Sequence, residues 1–156
     1  MNSVSVYDQI YKDNIQDIST GNVQVDPYLA DHVVDRRRGI SLIIPIKGIG
    51  KEYDALVARF QAVAPEPYYY PFEDLHITVF DFVQASAGFM RDGSRMEEYR
   101  LVCGQALGCL SPFSIDLQGL VFSSTAGLLA GYDDGRLIRI RESIRRLMSE
   151  RGLKND

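Results

Sequence analysis

The sequence predicts an α+β fold: a two-layer arrangement of helices on a mixed, largely antiparallel sheet. Three observations predict it. The chain of 156 residues, 46% hydrophobic and 24% charged, is long and apolar enough for one sizeable core. Stretches with a helical period alternate with short β-rich runs, giving β-α-β-α-β-β-α after a helical start. The last two β-rich runs flank a turn cluster, Ser123 to Gly127, and so read as an antiparallel hairpin.

Tyr7, Ile10, Tyr11, Ile15 and Ile18 predict a helix over 3–19, capped by Ser3 or Ser5 and ended at Gly21. Asp26-Pro27 predicts an N-cap and first position for a short turn through Leu29. Residues 1–35 form a helical N-terminal extension on this reading, and 36–156 form the α+β lobe. Arg36, Arg37 and Arg38 make either a phosphate-binding cluster or a solvated edge. Ile40 to Ile46 is a nearly continuous apolar run, which predicts an inner strand covered on both faces. A helix follows from Glu52 to Ala64, with Tyr53, Leu56, Val57, Phe60 and Val63 in one stripe, stopped by Pro65 and Pro67.

Tyr68, Tyr69, Tyr70 and Phe72 cluster before the next strand, where tyrosines either line a ligand site or cover a core edge. Residues 75–83 predict that strand, and 85–93 a loop. A third helix spans 94–110, with Tyr99, Val102, Cys103, Ala106 and Leu110 inward. Phe113, Ile115 and Leu117 alternate with polar residues, and Gly119 predicts a bulge before Leu120-Val121-Phe122. Residues 128–132 return as the hairpin partner. The last helix, 136–151, buries Leu137, Ile140, Ile144, Leu147 and Met148. Its other faces carry six arginines, and Gly152 ends it.

A net charge of −4 argues against wholesale non-specific nucleic-acid binding. Cys103 and Cys109 match no metal spacing and no disulfide framework, so a reduced, cytoplasmic setting fits best. No secretory start is read in the first ten residues, and no apolar run predicts a bilayer span.

His76 and Thr78 carry the chemistry. They alternate with Ile77 and Val79, so both lie on one face of the strand. Such a pair is either a satisfied polar pair in a core or half of an active site. An imidazole accepts or donates a proton near neutral pH, and a hydroxyl two residues on can hold a phosphate oxygen. This is phosphodiester chemistry on a rigid element, and it requires no metal and no cofactor. Tyr70 and Arg38 are further candidates for contacting substrate.

The His-hydrophobic-Thr-hydrophobic strand, His76 to Val79, follows the polar approach Tyr70-Pro71-Phe72-Glu73-Asp74-Leu75. With the element order over residues 36–156, it resembles the first lobe of the two-histidine phosphoesterase superfamily. That superfamily includes 2′-5′ RNA ligase-like proteins and cyclic nucleotide phosphodiesterases. The resemblance implies one lobe of a bilobal α+β fold. It also implies two His-x-Thr/Ser motifs facing a cleft, one histidine the base and the other the acid. The substrate would be an RNA end or small nucleotide with a 2′,3′-cyclic phosphate or 2′-5′ linkage. His76 is then one acid/base and Thr78 its phosphate-binding partner.

Only one such motif is present. The other histidine, His32, has no hydroxyl residue two positions on, and it precedes the first strand. The expectation is therefore a truncated protein, with the second lobe and motif beyond Asp156 and this chain alone inactive. Two other readings remain. One is a non-catalytic RNA- or nucleotide-binding module. The other is an interaction protein that self-associates through an uncovered sheet surface.

Overall fold

A computed structural model describes residues 6–24, 26–29 and 35–153. Ser3, Ser5, His32 and Lys154–Asp156, named above, lie outside the described residues. The fold is α+β. In chain order it has α1 (Val6–Ser19), β1 (Arg38–Pro45), α2 (Gly50–Gln61), β2 (His76–Ser86), α3 (Gly93–Leu107), β3 (Asp116–Phe122), β4 (Gly127–Tyr132) and α4 (Arg136–Glu150). Short 3₁₀ turns stand at Pro27–Leu29 and Phe72–Asp74. Pairing is antiparallel throughout, and the described strands form two two-stranded sheets, β1–β2 and β3–β4, rather than one.

The chain clusters into two compact units that are not consecutive in sequence. The first joins the described part of Met1–His32 to Ser111–Arg136. The predicted extension thus packs on the hairpin β3–β4. The Tyr7 hydroxyl accepts from Gly131 N–H and donates to Gly131 C=O, both at 2.8 Å. Its ring meets Tyr132 edge-on at 5.3 Å. The inward side of α1 is Tyr7, Ile10, Asn14 and Ile18; Tyr11 and Ile15 are exposed. Asn14 earns its inward place by accepting from Ser124 N–H at 2.9 Å. Gly119 has φ +82°, and between Leu117 and Leu120 two β3 residues, Gln118 and Gly119, face the single β4 residue Ala130, which is the predicted bulge. Arg136 ties the hairpin to its lead-in, donating to the carbonyls of Ser111 (2.9 Å) and Pro112 (3.0 Å).

The second unit, Val33–Leu110 with the described part of Leu137–Asp156, holds most of the buried side chains. Val79, Phe80 and Phe82 of β2 are buried, as are Tyr99 and Val102 of α3. All five apolar residues predicted on α4 are buried too. Phe82 and Tyr99 stack at 4.7 Å between ring centroids. Asp92 caps α3 by accepting from Ser94 and Arg95 N–H, which holds its carboxyl below the usual range. α4 ends with Leu153 N–H on Met148 C=O and Gly152 N–H on Ser149 C=O, the paired bonds of a helix stopped at Gly152.

Three expectations are corrected here. β1 is not covered on both faces: Ile40, Leu42 and Ile44 are half-buried, while Ser41, Ile43 and Pro45 are exposed. Within the unit, α3 and α4 meet β2 through the buried face alone. Val63 is 81% exposed, in the turn just past the end of α2 at Gln61. β2 also runs on to Ser86, past the expected start of the loop.

Candidate active site on the open face of a β-ribbon

The approach to β2 is built to receive an imidazole. After Pro71 the chain makes one 3₁₀ turn, with Asp74 N–H on Pro71 C=O and Leu75 N–H on Phe72 C=O. The last carbonyls of such a turn have no partner within it. The carbonyl of Asp74 takes its partner from His76, whose Nδ1 lies 2.7 Å away. A carbonyl only accepts, so Nδ1 carries the proton, and the neutral ring keeps its lone pair on Nε2. Phe72 holds the turn against α2, its ring 6.1 Å from that of Tyr53.

β2 is three residues longer than β1, eleven against eight, and the excess is taken up in three register shifts. One lies between Leu42↔Phe80 and Ile43↔Thr78, so Val79 is the extra residue. Val79 and Phe80 are consecutive and both buried, which shows the change of phase. On the far side of this bulge Asp81, not Phe80, shares the outer face with Thr78. That face carries Pro45 opposite His76, Ile43 opposite Thr78, and Ser41 opposite Asp81, and all six are exposed. The Ser41 hydroxyl donates to Asp81 Oδ1 at 2.6 Å.

Arg141 of α4 secures the bulge. Its Nε donates to Val79 C=O at 2.9 Å and its Nη2 to Thr78 C=O at 3.1 Å. Bulges leave backbone groups off the ladder, and a guanidinium fork satisfies two carbonyls at once. The strand that presents Thr78 is therefore pinned by a charged donor.

The other predicted residues are placed differently. Tyr70 lies in the approach loop, its carbonyl accepting from Tyr53 OH at 2.7 Å and its ring edge-on to Tyr68 at 4.9 Å. Arg38 pairs with Ser86 at the opposite end of the ribbon from the Pro45–His76 pair. Seven strand steps separate the two ends, about 23 Å, so Arg38 is not part of this face's His76 end. Its Nη1 donates to the carbonyls of Asp35 and Arg37. Arg37 chelates Asp35 through Nε and Nη2, and that guanidinium lowers the Asp35 pKa to about 2. On α4, Arg146 pairs with Glu150, Arg151 with Glu98, and Arg145 lies 5.9 Å over the ring of Phe80. Arg151 and Arg145 thus join α4 to α3 and β2, while Arg37, Arg38 and Arg146 bond within their own stretches of chain.

A half-open cleft of about 190 Å³ lies toward the other end of the ribbon, lined by Ile40, Val83, Phe89, Met90, Arg95 and Tyr99. Among the described residues, no group of three His, Cys, Asp or Glu side chains is placed to hold a metal ion. No described helix is long and apolar enough to cross a membrane. No protein-family model, curated protein or solved structure matches this chain.

Asp81 escaped the sequence reading for a physical reason. Strict alternation puts it on the face opposite His76 and Thr78, and only the Val79 bulge brings it round. The Asp74 carbonyl escaped as well, since it acts through the backbone. The one available signal was Pro71 three residues before it, which favours a turn.

Proposed function

We propose that this chain supplies half of a metal-independent phosphoesterase site for 2′,3′-cyclic phosphates or 2′-5′ linkages of RNA or small nucleotides. One observation carries the reading. His76 donates Nδ1–H to the Asp74 carbonyl, leaving a basic Nε2 on an exposed face that it shares with Thr78. That is the protonation pattern a general base needs. As base, Nε2 takes a proton from the attacking water. The P–O2′ bond then breaks, and O2′ collects a proton from an acid on the far side of the phosphorus. On this reading that acid is the histidine of a second His-x-Thr/Ser strand. The Thr78 hydroxyl donates to a non-bridging oxygen as charge builds there.

The test is hydrolysis of a 2′,3′-cyclic nucleotide by full-length protein and by His76→Ala. Losing a general base lowers the rate by about 10²- to 10⁴-fold. Nucleotide binding with no hydrolysis by either protein would instead favour the non-catalytic binding module.

A further inference from the structure

We propose that Asp81 is a specificity-determining residue of this same site, selecting substrates with one phosphate and a hydrogen-bond donor beside it. The inference rests on the phosphoesterase reading for its location and on ribbon geometry for its substance. His76, Thr78 and Asp81 pair with Pro45, Ile43 and Ser41, which are alternate residues of β1. Alternate strand positions lie about 7 Å apart, so the three side chains form an evenly spaced row along one exposed face. Thr78 is the middle of that row. A phosphate held there meets the imidazole on one side and a carboxylate on the other.

The carboxylate is a built feature. The Ser41 hydroxyl donates to one oxygen at 2.6 Å and orients the group. Ionised carboxylates offer about four acceptor positions, so accepting capacity remains for a ligand. The β1 residues paired with this row, Pro45, Ile43 and Ser41, carry no charge. The reacting edge of a bound ester occupies the His76 side, so the nucleoside extends along the ribbon towards Asp81. There the carboxylate accepts from a ribose hydroxyl or a base N–H. It repels a second phosphate placed one ribose away. The substrate class that fits is a mononucleotide ester with a free 5′-hydroxyl; a 5′-phosphorylated end is disfavoured.

Equilibrium binding of adenosine 3′-monophosphate and adenosine 3′,5′-bisphosphate tests this without requiring turnover. The probe signal is the amide resonance of Thr78. Wild-type protein is expected to prefer the monophosphate by about three- to tenfold at low salt, from repulsion between the Asp81 carboxylate and the second phosphate in a wet site. The preference should shrink towards unity near 0.5 M salt, where screening acts over about 4 Å. Asp81→Asn keeps the size and a partner for Ser41, and should abolish the preference. Ser41→Ala keeps the charge and should retain it. An unchanged preference in Asp81→Asn, or no response of Thr78 to either probe, would overturn the proposal. Selective binding without hydrolysis of the cyclic nucleotide would sink the catalytic reading and leave this one standing.

Discussion

The imidazole of His76 and the carbonyl of Asp74 stand 2.7 Å apart across two residues of chain. The contact selects one ring tautomer before any ligand arrives. Long-range ¹H–¹⁵N spectra of the neutral ring should show the proton on Nδ1 and the lone pair on Nε2. A ring protonated on Nε2 alone would remove the general-base assignment.

Arg141 donates to two carbonyls at the bulge behind Thr78. Arg141→Met keeps much of the apolar stem and loses both bonds. Charged hydrogen bonds of this kind are worth about 1.5–3 kcal/mol, so denaturant unfolding should show a loss of that order. The amides of Thr78, Val79 and Phe80 should also exchange faster. Unchanged exchange there would mean the ladder holds the bulge alone.

Gly39 lies against the opposite strand. A Cβ at this position would come 2.6 Å from Val83 C=O and 2.9 Å from Ala85 N. Both are backbone atoms and cannot swing aside. Gly39→Ala is expected to destabilise by about 1–3 kcal/mol through overpacking. Thermal unfolding checks this, with Gly88→Ala, which meets nothing within 4 Å, as the control.

Asp35 titrates low because Arg37 holds its charged form, with a pKa of about 2 against an ordinary 3.8. A depressed carboxyl contributes stability that is present above its unfolded value and lost as pH falls through its folded one. The chelate should therefore persist at pH 4 and open as pH drops towards 2. A ¹³C titration of the Asp35 carboxyl reads this directly, and a midpoint near 3.8 would contradict the ion pair.

Cys103 is half-buried on α3 and Cys109 is exposed. Burial pushes the Cys103 thiol up, leaving less thiolate for reaction. A thiol reagent near neutral pH should label Cys109 first and Cys103 slowly. Equal rates would show that α3 opens readily.

The sequence carried the elements further than their pairing. Leu137, Ile140, Ile144, Leu147 and Met148 were legible because a buried helix repeats its apolar positions. The bulge at Gly119 was legible because a lone glycine between β-rich residues has few other uses there. The bulge at Val79 was not, since valine is an ordinary strand residue. Its extra length appears only when β2 is laid against the shorter β1. The face shared by His76 and Thr78 follows from alternation; the place of Asp81 beside them does not. The distance of Arg38 from His76 was not legible either, because residue type and spacing say nothing about position along a ribbon.

The division of the chain into interleaved units bears on its biogenesis. The polypeptide passes between them three times, after residues 32, 110 and 136. Neither unit can therefore mature on a ribosome as a simple N-terminal module. The β3–β4 hairpin must emerge before α1 finds its seat, and α4 must emerge before Arg145 can lie over Phe80. Until then α1 and the β1–β2 ribbon leave the exit tunnel with their apolar sides uncovered, which is the interval in which a holdase chaperone would have something to grip.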